Sequence, residues 1–201
     1  MADPYAWDVF VSYPNTGDIP DWTEDFAYLL ERELKHLGVS SRVFVAPRSL
    51  PPGVAWPVKL AEAHHRSKTF VPVLCGPYFR HPWCLSEWSN AVRRAETERT
   101  PLVVPVQYNN CTDDDLKRLR PTVREQVARV QRFDLSDYNT LFERTARDAR
   151  VTGLRLKIQD LSTRLRPLIE RPPAWNPAWP RLPRTATARL RTGWLPRLEG
   201  E

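Results

Sequence analysis

The pair of side chains in this sequence best suited to chemistry is Trp83 and Glu87, which lie four residues apart. In a helix this spacing places both side chains on one face, one turn apart. An indole beside a carboxylate can stack on a planar ring, attract a cationic ring and keep water away. By spacing alone, however, a solvated glutamate beside a core tryptophan is the more typical interpretation.

The other reactive residue types favour structural roles. Three cysteines without CxxC spacing argue against a zinc site and indicate a reducing compartment, with Cys84 as a small, half-buried filler. His64 and His65 are adjacent, so they cannot bind one metal from one helix face, and we expect both at the surface. The run Asp113–Asp115 is typical of a helix start, where the dipole favours acidic residues. We therefore predict no metal site and no cofactor.

Length and composition narrow the functional class. The chain has 201 residues, 41% hydrophobic and 27% charged, which is enough to build a globular core. No apolar run approaches the roughly 20 residues of a membrane span, and Met1–Asp8 is unlike a signal peptide. We expect a cytoplasmic protein without membrane contact. The seven glycines form neither GxGxxG nor GxxxxGK[ST], which excludes Rossmann and P-loop nucleotide sites.

The basic charge lies mainly at the end of the chain. The net charge is +6, and residues 171–201 contribute +4 of it, which leaves +2 for the body. Because the charge is diffuse and carried by the tail, nucleic acid is an unlikely partner.

Strand-like and helix-like segments alternate along the first 170 residues. Five short apolar runs predict strands and the longer amphipathic stretches between them predict helices, with the last helix carrying leucines at spacings of three and four. This alternation predicts a doubly wound, parallel α/β sheet with sites at the carboxyl ends of its strands. The predicted strands are Asp8–Tyr13, Arg42–Ala46, Thr69–Cys75, Leu102–Val106 and Ala128–Phe133, and the helices Trp22–Leu37, Val54–His65, Pro82–Glu96, Asp113–Leu119 and Leu154–Leu168.

The composition changes after residue 170. The stretch Arg171–Pro180 contains four prolines and cannot form a regular helix or a central strand. We therefore divide the chain into a domain at 1–170 and a basic Pro/Trp-rich tail at 171–201. Two interpretations of the tail stay open. It is either disordered, or an extended segment whose Trp175, Trp179 and Trp194 dock on the body or on a partner.

Three motifs in order resemble those of the TIR (Toll/interleukin-1 receptor) domain family. Asp8–Tyr13 resembles the opening strand of that family, and Leu50–Gly53 resembles its BB loop. The run Phe70–Leu74, followed by Trp83-Cys84-Leu85-Ser86-Glu87, resembles its third strand and WCxxE helix. The resemblance covers roughly residues 5–168. It implies a flavodoxin-like, five-stranded parallel sheet with flanking helices, and the excess of arginine over lysine favours a bacterial stand-alone member.

The resemblance implies an NAD⁺ glycohydrolase in which Glu87 is the catalytic residue. The nicotinamide of NAD⁺ leaves as a neutral base, so no general acid is needed. One carboxylate suffices to stabilise the oxocarbenium-like ribose. We expect Ser12, Tyr13, Pro14, Asn15, Arg48 and Trp83 to bind the substrate. Basic residues that many relatives carry after the first strand are absent, and Ala46 replaces an acidic residue after the second, so Arg48 becomes the candidate for contacting the pyrophosphate.

The resemblance also implies partners. Self-association through the BB loop, Pro47 to Gly53, is expected to gate activity, with an unidentified activator protein or nucleotide signal and a role in antiphage defence or cell suicide. Two other functions stay open. One is a non-catalytic TIR scaffold for homotypic interaction, and the other is a nucleoside deoxyribosyltransferase-like enzyme, which also uses a glutamate on an N-glycosidic bond.

Overall fold

The computed structural model describes residues 3–46, 56–109, 111–139 and 149–182. A five-stranded sheet forms the centre, in the order β2-β1-β3-β4-β5 with every neighbouring pair parallel. This is a flavodoxin-like, doubly wound order, as the sequence predicts. The strands are Trp7–Ser12 (β1), Val43–Phe44 (β2), Ser67–Leu74 (β3), Val106–Gln107 (β4) and Phe133–Asp134 (β5).

Helices flank this sheet and join its strands. They are Ile19–His36 (α1), Trp56–His65 (α2), Gly76–Arg80 (α3), Pro82–Glu98 (α4), Asp113–Lys117 (α5), Pro121–Arg129 (α6) and Ala149–Glu170 (α7), with a short 3₁₀ turn at Ser136–Tyr138. Helix α1 ends before Gly38, whose φ of 79° lies in the left-handed region that favours glycine. In the described ranges, none of the helices is both long and apolar enough to cross a bilayer.

The side chain of Asp8 connects β1 to the chain on both sides of it. The buried Asp8 accepts a hydrogen bond from the backbone N–H of Arg42 at 2.7 Å, beside β2, and pairs with Lys68 Nζ of β3 at 2.7 Å. Further along, the Phe10 ring stacks on Phe44 of β2 with centroids 5.1 Å apart. The residues of β1 that follow, ending at Ser12, are therefore held at a fixed register between β2 and β3.

Four stretches differ from the sequence-based expectation. Helix α6 has no counterpart among the predicted elements, and the strand predicted at Leu102–Val106 is observed only at Val106–Gln107. Gly76-Pro77 opens α3, a short helix that is missing from the predicted elements, because proline is well tolerated in a first helical turn. A Cβ at Gly76 would lie 2.7 Å from Asp115 Oδ2, so a larger residue there would displace this carboxylate from its hydrogen bonds with Thr112. The strand predicted at Ala128–Phe133 is wrong in most of its length, since α6 continues to Arg129 and β5 begins only at Phe133. A run of alternating apolar residues did not distinguish the end of a helix from a strand.

The first part of the C-terminal segment packs on the body. The Trp179 side chain is 3% exposed, lies over the Arg94 guanidinium at 3.6 Å from the ring centroid, and donates to Glu98 Oε1 at 2.7 Å. Tyr5 Oη donates to the Pro173 carbonyl at 2.8 Å. The C-terminal segment therefore packs on the body as far as Leu182, and Trp175 is half-buried. Trp194 lies outside the described residues.

Candidate active site

Glu87 is buried between α4 and the end of β1, with both carboxylate oxygens hydrogen-bonded. Oε1 accepts from Trp83 Nε1, one turn earlier on α4, and Oε2 accepts from Ser12 Oγ at 2.5 Å. Pro82 starts α4, which places Trp83 and Glu87 together on the face that meets the sheet. Glu87 is 4% exposed, so it is not the solvated surface residue that its spacing alone would favour.

The hydroxyl group of Tyr78 contacts Ser12. Tyr78 Oη lies 3.0 Å from Ser12 Oγ and 3.2 Å from the Cys84 carbonyl. Because the single hydroxyl proton of Ser12 goes to Glu87, the single Tyr78 proton is shared between Ser12 Oγ and the Cys84 carbonyl. Tyr78 thus connects Ser12, and through it the carboxylate, to the first turn of α4.

His64 contacts Glu87 from the other side, through the main chain. Its Nε2 lies 3.2 Å from the Glu87 carbonyl oxygen, and its ring lies against Phe10 and Phe70. Burial lowers the pKa of His64 to about 3, so the ring is neutral and Nε2 carries the proton that it donates.

The expected surface location of the two histidines is therefore wrong. His64 is 3% and His65 7% exposed. His64 lies one turn after the buried Leu60, on the side of α2 that meets the sheet. His65 is covered by the Trp175 and Trp179 rings of the C-terminal segment, a long-range contact that no local pattern reveals.

The carboxylate faces a small cavity of about 30 Å³ at the carboxyl end of β1. Of the predicted substrate-binding residues, Ser12, Tyr13, Asn15 and Trp83 line this cavity together with Glu87. Pro14 is buried but is not among the lining residues, and Arg48 lies outside the described residues, as does the rest of the Pro47–Gly53 loop. A cavity of this size holds about one water molecule.

Burial sets the protonation of Glu87. Removal from water raises its pKa from 4.5 to about 7, although the donors Ser12 and Trp83 both favour the charged form. The carboxyl group is consequently poised to change charge near neutral pH, as is common for functional carboxylates.

The remaining reactive groups have structural surroundings. Burial raises the pKa of the Cys84 thiol, which keeps it protonated and unsuited to nucleophilic attack. Asp115 forms a reciprocal capping box with Thr112 at the start of α5, as expected of an acidic helix start. In the part of the chain that the structure describes, no three His, Cys, Asp or Glu side chains group together in a way that would hold a metal ion.

Comparison with known proteins identifies the class. A family model described as TIR domain matches residues 9–149, well over half of the chain. The chain belongs to the TIR domain family, which contains both NAD⁺-cleaving enzymes and scaffolds.

Two solved structures resemble the chain. One is the TIR domain of the Toll-related receptor TRR-2 from the lower metazoan Hydra magnipapillata, with 16% identity over 80% of this chain and 99% of that one, at a TM-score of 0.49. The other comprises the TIR domains of the activated Roq1 resistosome, which directly recognises the pathogen effector XopQ. It has 19% identity over 79% of this chain and 84% of that one, at a TM-score of 0.43.

Sequence reasoning overlooked Tyr78 and His64 as parts of this site. Tyr78 follows closely on the carboxyl end of β3, the strand beside β1, so its position in a parallel sheet was a usable signal. His64 follows the apolar Leu60 by one helical turn, which indicated the buried face of α2.

Proposed function

We propose that this TIR domain is an NAD⁺ glycohydrolase that cleaves the bond between nicotinamide and ribose, with Glu87 as its catalytic residue. The observation that carries the proposal is the Glu87 carboxylate itself. It is buried at the carboxyl end of β1 and bound by one donor from β1 and one from its own helix. Family membership supports this reaction class, because TIR domains include enzymes that cleave NAD⁺.

Cleavage of the nicotinamide–ribose bond requires little beyond a well-placed negative charge. As the C–N bond breaks, its electron pair goes to nicotinamide, which leaves as a neutral base, and positive charge develops on the ribose. The carboxylate of Glu87 stabilises that charge, or captures the ribose until water attacks and yields ADP-ribose. Attack by the adenine of the same molecule gives a cyclic product instead.

Ser12 and Trp83 position the carboxylate for this step. Each occupies one oxygen of Glu87, so the side chain has a single orientation before substrate arrives. The Trp83 indole also lines the cavity beside the carboxylate, and its aromatic face suits a planar cationic ring. The cavity of about 30 Å³ is far too small for a dinucleotide, so binding requires its walls to separate.

We propose that self-association controls the opening of the Glu87 cavity. TIR domains in general self-associate, and the loop Pro47–Gly53 adjoins Ala46, which lines the cavity. If that loop docks on a second copy of the chain, the Glu87 cavity would widen in the assembly and stay narrow in the monomer. A nucleotide or protein signal that promotes assembly would then start the cleavage of NAD⁺, as in antiphage defence or cell suicide.

A direct assay tests the activity. Purified protein at several concentrations is incubated with NAD⁺ and, separately, with purine and pyrimidine deoxynucleosides, and the released bases are separated by chromatography. We expect free nicotinamide, with a specific activity that rises with protein concentration. Release of nucleobases without nicotinamide would support the deoxyribosyltransferase-like alternative. Nicotinamide release at a constant specific activity by a monomer would refute gating by assembly.

The scaffold alternative is favoured by one observation, the small size of the cavity. In a scaffold, Glu87 would only fasten α4 to β1. That function predicts concentration-dependent association without release of any base, and Leu50→Asp in the BB loop would abolish association. Leu50 lies outside the described residues, so this variant tests a role inferred from the resemblance.

A further inference from the structure

The side of α4 that points away from Glu87 borders a second and much larger cleft, of about 600 Å³. The cleft lies between α4, the segment joining α5 to α6, and the C-terminal segment. Its charged lining consists of Arg93, Arg118, Arg120 and Arg181, and no acidic side chain is among its lining residues. Three separate elements therefore bring four positive charges to one place.

Among the described residues, these four arginines have no acidic partner in a salt bridge. None of them forms a salt bridge with an acid in the described ranges, and only Arg118 is attracted by Asp115 at longer range. By contrast, Arg80, Arg129 and Arg166 each pair with a neighbouring carboxylate. Guanidinium groups around one cleft repel each other, and a bound anion would remove that repulsion.

Backbone groups add to the positive potential. Val123, in the first turn of α6, lines the cleft, and Arg120 is the N-cap residue of this nine-residue helix. The side chain of Arg120 makes no capping hydrogen bond, and Pro121 has no N–H. Among the described residues, no side chain accepts from the backbone N–H groups of this turn. A helix N-terminus of this kind favours a phosphate group.

The size of the cleft and the apolar part of its lining indicate which groups the ligand carries besides its phosphates. About 600 Å³ suits a nucleotide-sized ligand rather than a single inorganic ion. Leu85, Leu119 and Val123 offer an apolar surface for a base. Asn90 donates through Nδ2 to the Ser86 carbonyl, which leaves its Oδ1 as an acceptor for an exocyclic amino group.

We propose that this cleft is a binding site for a nucleoside di- or triphosphate, with the arginines on the phosphates. Arginine suits such a ligand because its planar fork binds two phosphate oxygens at once. The site is separate from the Glu87 cavity and shares only α4 with it. Its occupancy therefore does not depend on whether the protein cleaves NAD⁺.

Titration calorimetry with ATP, ADP and inorganic tripolyphosphate tests the site. The cleft variant is Arg118→Gln with Arg120→Gln, and the matched control is Arg155→Gln with Lys157→Gln, which removes two exposed positive charges from α7. We expect ATP to bind the native chain and the control alike, and the cleft variant to bind at least about tenfold more weakly. Replacement of Arg118 and Arg120 by lysine should lose part of the affinity, because the charge stays while the two-pronged contact is lost.

Hydrogen exchange locates the ligand. With ATP bound, the amides of residues 118–124 should exchange more slowly in the native chain and not in the cleft variant. Equal ATP affinity in native and cleft variant proteins would overturn the proposal, as would binding of a long single-stranded oligonucleotide without binding of ATP. No binding of any of the three phosphate compounds would overturn it too. Unchanged circular dichroism and melting of the cleft variant establish that it folds.

Discussion

Helix α4 separates two regions that differ in the burial and in the partners of their charged side chains. On the side facing the sheet, the single carboxylate of Glu87 is buried, fully hydrogen-bonded and enclosed in a cavity of about 30 Å³. On the other side, four exposed arginines surround a cleft of about 600 Å³ and find no salt-bridge partner among the described acids. The first region is preorganised and closed, and the second is open and electrostatically unsatisfied.

This difference bears on what each region can do. A buried group with fixed donors suits chemistry, because little reorganisation is needed when charge develops. Exposed arginines in an open cleft suit reversible binding, because the ligand supplies the missing counter-charges. Substitutions that alter one region at a time test whether the two regions are as distinct as the geometry implies.

The largest effect is expected from Glu87→Gln. The amide can accept from Trp83 Nε1 and donate to Ser12 Oγ, so the fold should persist while the negative charge is lost. NAD⁺ cleavage should fall by at least about 10²-fold, the usual loss for a group that stabilises transition-state charge. Nicotinamide release and thermal melting measure the two quantities.

Glu33→Gln provides the matched control for this substitution. Glu33 is also a buried helical glutamate, but it lies on α1 beside Arg32 and His36, away from the cavity. Its variant should keep full cleavage. Comparable cleavage by native and Glu87→Gln proteins would remove Glu87 from the mechanism and leave the closed region with a structural role.

A smaller effect on cleavage is expected at Trp83. Trp83→Ala removes both the ring and the donor and should lower stability by about 3–5 kcal/mol. Trp83→Phe keeps a ring but loses the hydrogen bond to Glu87, so the pKa of the carboxyl group should rise further. We expect Phe to retain much of the cleavage at pH 8 and Ala to retain little of it.

Denaturant unfolding separates the two effects of Trp83→Ala. Loss of cleavage with an unchanged free energy of unfolding would assign the indole to substrate binding. Loss that follows stability across several temperatures would assign it to packing only.

The pH dependence follows from the sign of the Glu87 shift. Burial raises its pKa to about 7, and the reaction needs the ionised form. The ratio kcat/KM should therefore rise with pH, with a midpoint near 7 and a plateau above about pH 8. Initial rates of nicotinamide release between pH 5 and 9 test this, and a flat profile across that range would contradict a titrating catalytic carboxylate.

Stability should change in the opposite direction over the same range. Between the ordinary pKa of 4.5 and about 7, the folded state binds more protons than the unfolded state, so the contribution of Glu87 to the free energy of unfolding falls as pH rises. Glu87→Gln does not titrate, so its melting temperature relative to native protein should increase from pH 5 to pH 8. A constant difference would mean that Glu87 is ionised throughout.

The sequence predicted the sheet-facing region far better than the open one. Trp83 and Glu87 share a short motif on one helix, and Ser12 ends a strand whose apolar character is unmistakable. These motifs placed the three residues in one site through their resemblance to the TIR family, whereas the spacing of Trp83 and Glu87 alone favoured a solvated glutamate. The burial of His65 and the gathering of arginines from α4, the α5–α6 connection and the C-terminal segment arise from contacts between distant parts of the chain. Such contacts have no periodic signature in a single sequence.

The smallest effect is expected from Trp179→Ala, which tests whether the C-terminal segment serves the open region alone. Trp179 fastens this segment to α4 through Arg94 and Glu98, and Arg181, two residues later, lines the cleft. Loss of the indole should free the segment locally, lower ATP affinity about two- to threefold and leave NAD⁺ cleavage unchanged, because the other three arginines and Glu87 keep their places. Tyr28→Ala is the control, since this aromatic side chain on α1 is 60% exposed and lines neither the cavity nor the cleft, and it should alter neither quantity. A loss of cleavage in Trp179→Ala that equals or exceeds the loss of ATP affinity would show that the segment acts through α4 on Glu87, and the two faces of the helix would then form one coupled unit.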